Sequence, residues 1–78
     1  MFKVMSRAYR QTWHVEHFAT EAEAREYANK EYKHGAADIE LYARQRNGYK
    51  LIDAVHVSKK QAIENFAETA AEDAPYFI

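Results

Sequence analysis

Apolar and polar side chains alternate with period two along four stretches of the chain and recur at helical spacing along two others. Residues Phe2 to Tyr9 set Phe2, Val4, Ser6 and Ala8 on one face and Lys3, Met5, Arg7 and Tyr9 on the other, which predicts a strand. Thr12 to Phe18 predict a second, with Trp13, Val15 and His17 against Thr12, His14 and Glu16. The short link at Arg10-Gln11 implies a hairpin. It contains neither Gly nor Asn, so its turn type and register stay open.

A helix is expected next. Thr20 can cap it, and Glu23, three residues on, completes a capping box. Ala24, Tyr27, Ala28 and Tyr32 follow at helical spacing, and Glu21–Arg25 and Glu26–Lys30 are i,i+4 pairs of favourable polarity. Lys33 and His34 suit the negative helix end, and Gly35 is a natural stop.

The second half repeats the plan. Ile39, Leu41 and Ala43 alternate within a strand from Asp38 to Arg46, and Tyr49 to Val57 return as its partner. Asn47-Gly48 is the strongest hairpin signal, because both residues tolerate the positive φ of a type I′ turn. Ser58 then caps a second helix with Gln61 in the box position, and Ala62, Ile63, Phe66, Ala67 and Ala70 form its expected buried stripe. A shift of thirty-nine residues lays Trp13 on Ile52, His17 on His56, Ala24 on Ile63, Tyr27 on Phe66 and Ala28 on Ala67, a repeat of pattern with few identities. The expected fold is α+β: a single domain over residues 1–78, in ββαββα order, with a four-stranded antiparallel sheet and two helices packed on one face. The alternative is two ββα units that swap or pair between chains.

The turn carries a register with it. A two-residue loop at Asn47-Gly48 would set Arg46 opposite Tyr49, Arg44 opposite Leu51, Ala43 opposite Ile52 and Leu41 opposite Ala54. Ile39, Leu41, Ala43, Ile52 and Ala54 then share an apolar face that belongs under the helices. The opposite face holds Tyr42, Arg44, Arg46, Tyr49, Leu51, Asp53 and Val55, with Asp53 facing Tyr42 in a Tyr–carboxylate hydrogen bond. Aromatic and aliphatic side chains among arginines are the composition of an interaction surface. Met5, Arg7 and Tyr9 of the first hairpin could extend it. Ordinary cross-strand pairing on a partly wet sheet would also produce such a set.

Composition narrows the chemistry. The chain has 78 residues, 47% hydrophobic and 29% charged, with two glycines and one proline, which befits one ordered domain. Cysteine is absent, so neither a disulfide nor a thiolate is on offer. Met1-Phe2-Lys3-Val4 opens no apolar run, so neither a signal peptide nor a membrane span is expected, and a cytoplasmic location is the default. His14 and His17 fall on opposite faces of their strand and cannot chelate together; His17 and His56 could approach, but an ordinary zinc site needs more ligands, so no metal is expected. Ser6 and Ser58 are the only serines, and Ser58 is already a cap. No nucleophile–base pair or glycine-rich phosphate loop is present, so neither catalytic residues nor a cofactor are expected.

Two kinds of partner fit what is left. The formal net charge of −1 disfavours indiscriminate polyanion binding. Lys3, Arg7, Arg10, Arg44, Arg46 and Lys50 could still cluster on the sheet, where Tyr9, Tyr42 and Tyr49 could stack on bases, so a weak RNA- or DNA-binding domain is the alternative reading. The first reading is a non-enzymatic protein-binding module, an inhibitor or adaptor, with Tyr42, Arg44, Arg46, Tyr49, Leu51, Val55, Arg7 and Tyr9 as its binding residues. A homodimer is compatible with so small a chain. Glu64, Glu68 and Glu72, with Asp73 beside them, form an acidic helix face, ordinarily a solvated one. Its sharper reading is phosphate mimicry toward a nucleic-acid-binding protein. The apolar end Pro75-Tyr76-Phe77-Ile78 would fold back on the core or dock on a partner. In size class, and in that alone, the chain is similar to phage-encoded modulators of host machines, anti-CRISPR proteins among them, which implies a host-cytoplasmic setting.

Overall fold

Thr20 and Ser58 start the two helices. Thr20 Oγ1 accepts the Glu23 backbone N–H at 3.2 Å, the N-cap bond, and donates to the Glu23 carboxylate at 2.9 Å. Ser58 Oγ accepts the Gln61 N–H at 3.1 Å, while the Gln61 side chain donates onward to Asn65 at 2.8 Å instead of closing the box. A computed structural model describes residues 1–73, and the side chains of residues 1–70. Its elements are β1 (Phe2–Arg7), β2 (His14–Phe18), α1 (Glu21–Lys33), β3 (Asp38–Gln45), β4 (Gly48–His56) and α2 (Lys59–Asp73). The tail Pro75-Tyr76-Phe77-Ile78 and the Glu72 side chain lie outside the described residues.

The four strands form one antiparallel sheet in the order β2-β1-β3-β4, so the ββαββα α+β fold is as expected. β1 and β3 are the central pair. Val4 lies opposite Leu41 and Ser6 opposite Ile39, and all four are buried. Ala24 of α1 completes this core with Ala36, and Phe2, Phe18, Tyr27, Ala28, Tyr32 and Ile52 pack around it. The apolar periodicity of α1 therefore does what amphipathic spacing requires, and its small Ala24 lets the helix approach the sheet closely.

α1 ends in a Schellman motif. The Gly35 N–H bonds to the Tyr32 carbonyl and the Ala36 N–H to that of Glu31, at 3.2 and 3.0 Å, with Gly35 at φ +94°. Gly35 is also where α2 arrives: a Cβ there would stand 2.9 Å from Phe66 Cβ and 3.1 Å from the Ala62 carbonyl. Among the described residues α2 packs on α1 and on no strand. Its inward side chains are Ala62, Asn65 and Thr69, the last donating to the Lys33 carbonyl at the α1 end. The expected stripe is thus corrected. Of its members only Ala62 is buried, and Ile63 and Phe66 are each 57% exposed.

The second hairpin also departs from its expected register. The turn is Arg46-Asn47, closed by Gln45 opposite Gly48, and Arg44, not Arg46, faces Tyr49. Only Gly48 takes positive φ, at +129°; Asn47 does not. The positive φ thus falls on the glycine that follows the turn, the residue type that adopts it without a Cβ penalty. The register then shifts between Leu41 and Tyr42, where Ile52 is an extra residue on β4. It turns Asp53 and Val55 to the helix side, opposite Leu41 and Ile39, and sends Ala54 to the open side opposite Glu40.

Gly35→Ala should destabilise the fold more than Gly48→Ala in urea unfolding. Both force a non-glycine residue to positive φ, at a cost of about 1 kcal/mol or more, but only Gly35 has α2 against it, since nothing lies within 4 Å of a Cβ at Gly48. Equal losses would mean that α2 does not press on Gly35.

Candidate functional site

Among the described residues one sheet face is left open, because α1 packs on the other and α2 packs on α1. Strand parity places Lys3, Met5 and Arg7 of β1, Val15 and His17 of β2, Asp38, Glu40, Tyr42 and Arg44 of β3, and Tyr49, Leu51 and His56 of β4 on this side. The face divides into two regions that meet at Tyr42.

The first region is cationic and aromatic. Lys3 lies between two rings, its Nζ 4.7 Å from the centre of Tyr42 and 4.3 Å from that of Tyr49. The Arg44 guanidinium is 5.9 Å from the Tyr49 ring, and His17 tilts toward the same ring at 6.3 Å. Cation–π attraction of this kind is worth about 0.5–1 kcal/mol per exposed pair and holds the rings in place. Leu51, paired with Tyr42, is 47% exposed beside them.

The second region is an ion-pair network. Asp38 receives Arg7 Nε at 2.6 Å and His56 Nδ1 at 2.8 Å, and His56 Nε2 stands 3.9 Å from Glu40. The His56 hydrogen bond first, and the Arg7 one next, hold the Asp38 carboxyl below its ordinary value. Tyr42 donates to Glu40 at 2.7 Å, and that bond, with some desolvation, raises its phenol. The expected Tyr42–Asp53 bond is replaced by this one; Asp53 instead binds Arg25 of α1 at 3.0 Å, on the far side of the sheet. The Arg7 guanidinium also lies 4.4 Å from the Trp13 ring.

Of the sequence-expected binding residues, the structure gathers Tyr42, Arg44, Tyr49 and Leu51. Arg46 sits in the exposed turn at the rim of this group. Val55 is corrected to the helix side by the β4 bulge. Arg7 shares the face but lies four residues along β1 from Lys3, about 14 Å away, and is committed to Asp38. Tyr9 lies past the end of β1 in the first loop, beside Arg10 and 6.0 Å from Lys59. The expected basic cluster is therefore split, and Lys50, opposite Ala43, faces the helix side. Lys3 and His17 become central only through the β2-β1-β3-β4 order, which no local pattern reveals.

The remaining candidates do not join this face. Glu64 and Glu68 are exposed on α2. His17 and His56 stand on opposite edge strands, and among the described residues no three His, Asp or Glu side chains are placed to hold a metal ion. Ser6 is buried on the helix side and Ser58 Oγ caps α2, so neither serine meets His56. No helix among the described residues is long and apolar enough to cross a membrane. The chain matches no protein-family model, and neither a curated protein nor a solved structure matches it at a significant level.

Because the Asp38 carboxyl is held below the 3.8 of a free side chain, its contribution to stability is present above that pH and is lost as pH falls through the folded value. Acid unfolding followed by circular dichroism should thus steepen below about pH 4. Asp38→Asn should be less stable at neutral pH but lose less on acidification. An acid limb identical to that of the parent chain would remove Asp38 as its source.

Proposed function

We propose that the chain is a non-enzymatic protein-binding module, acting as an inhibitor or adaptor, and that the Lys3–Tyr42–Tyr49–Leu51 region of the open sheet face receives the partner. The observation that carries this reading is the Lys3 ammonium seated on both tyrosine rings. Aromatic and cationic groups already ordered against one another lose little side-chain entropy on association. Tyr and Arg are the residue types that dominate binding energy, and Leu51 with Met5 supplies apolar area next to them. The partner that fits is a protein surface with carboxylates set around an apolar centre, able to meet Lys3, Arg44 and Arg46 while covering Leu51.

The same observation favours protein over nucleic acid. Bases bind single-strand platforms by stacking on aromatic faces, and here Lys3 covers the faces of Tyr42 and Tyr49. A base would first have to displace that ammonium. A carboxylate can instead approach Lys3 from above without disturbing the rings.

The test is capture from lysate with and without nuclease, followed by titration of the purified partner. Tyr49→Ala and Leu51→Glu should each weaken binding by at least about 30-fold, the scale of a hot-spot loss of roughly 2 kcal/mol, with the circular dichroism spectrum unchanged. Glu64→Lys should leave affinity within about twofold, since surface charges remote from an interface contribute little. Nuclease-sensitive capture with steep salt dependence would instead establish the nucleic-acid reading. Normal binding by the sheet variants with loss in Glu64→Lys would move the site to α2.

A further inference from the structure

α2 is amphipathic the wrong way round for a lone domain. Its side toward α1 carries Asn65 and Thr69 with Ala62, and one Asn65 amide nitrogen has no hydrogen-bond partner within the described residues. Phe66, Ala70, Ile63 and Ala67 span an arc of about 100° that faces outward. The internal repeat sharpens the contrast. Ala24, Tyr27 and Ala28 of α1, the counterparts of Ile63, Phe66 and Ala67, all pack on the core.

The same repeat shows what is missing. The order β2-β1-β3-β4 relates the two ββα halves across the β1–β3 pair, and α1 packs over that central pair and on to β2. The place beside α1, toward β4, holds no helix among the described residues. It is a groove of about 340 Å³ whose apolar lining is Ala28, Tyr32, Ile39, Leu41 and Val55, with the Arg25–Asp53 ion pair in its wall. The chain's own α2 is directed elsewhere by the Val57 N–H bonded to the Ala37 carbonyl, by Thr69 on Lys33, and by Gly35 against Phe66. The Cα radius of gyration is 14.0 Å, with a longest extent of 54 Å. A compact chain of this length would have about 11.5 Å, so the chain is elongated.

We propose that two copies of this chain form a symmetric dimer in which α2 of each lies in the β3–β4 groove of the other. α2 keeps Ala62, Asn65 and Thr69 on its own α1 and presents Ile63, Phe66 and Ala70 to Val55, Ala28 and Tyr32 of the second copy, above the buried Ile39 and Leu41. Fifteen residues of α2 make about 22 Å, and the groove is walled by Asp53, Ala54 and Val55 of β4 on one side and by α1 on the other. A stable interface needs about 800 Å² from each partner, and each chain contributes twice, once as arm and once as seat. The second copy is the occupant because it brings an outward apolar arc, Ile63, Phe66 and Ala67, with the same spacing as Ala24, Tyr27 and Ala28, which pack on the core in α1. The open sheet face takes no part, so this dimer and the partner site proposed above stand or fall separately.

Light scattering on the full chain at tens of micromolar should give the mass of a dimer, and Phe66→Glu should raise the dissociation constant by at least about 100-fold, the side chain being lost twice in a symmetric interface. The natural absence of cysteine makes cross-linking specific. Ile63→Cys combined with Val55→Cys should oxidise to a covalent dimer, whereas Ile63→Cys alone should not. Phe77→Ser should leave the dimer intact. The proposal is overturned by a monomer at that concentration, by an intramolecular Ile63–Val55 disulfide (α2 folding onto its own sheet), by cross-linking of Ile63→Cys alone (α2 packing on α2), or by loss of the dimer in Phe77→Ser (the tail as occupant).

Discussion

The antiparallel pairing of β1 with β3 is the contact on which both faces of the molecule depend. On one side it sets Val4 against Leu41 and Ser6 against Ile39, under Ala24 of α1. On the other, the same register sets Lys3 beside Tyr42. Because side chains alternate strictly across a strand, burying Val4 obliges Lys3 and Met5 to point to the open face. A one-residue slip would expose the core and bury a lysine, so the register that stabilises the fold also assembles the cation–aromatic group.

The bulge on β4 has the opposite effect. It breaks alternation at Ile52 and so divides the strand into two segments with reversed facing. Before it, Tyr49 and Leu51 belong to the open face. After it, Asp53 and Val55 belong to the helix side, where Asp53 meets Arg25 and Val55 lines the groove beside α1. Bulges recur at sheet edges where a side chain is re-aimed. Here the result is an edge strand that serves one surface with its first half and another with its second.

Gly35 governs the second helix in the same double way. It ends α1 at positive φ and leaves room for Ala62 and Phe66 to come close. The helix so placed rests on a mostly polar seam, which fixes its direction without using its apolar arc. The groove between α1 and β4 and the outward apolar arc are two consequences of one placement. A chain of this size has little apolar area to spare from its core.

Local patterns in the sequence determined the number, kind and order of the elements. Thr20, Ser58 and Gly35 mark helix ends through backbone hydrogen bonds that close within a few residues, so they read correctly in isolation. Tyr42, Arg44, Tyr49 and Leu51 were legible as one surface because a misplacement of the turn by two positions in register preserves parity. The tertiary structure alone decided the rest. Which glycine or asparagine takes positive φ depends on strand twist, and the Ile52 bulge depends on how β4 fits over the core, so Val55 and Asp53 could not be assigned from alternation. Lys3 and His17 reach the site only because β1 pairs with β3, a contact nearly forty residues apart in sequence. The apolar stripe of α2 was visible as a stripe, but periodicity says only that one side wants cover. What covers it is set by where the connection after β4 sends the helix, and that direction is a property of the packed chain.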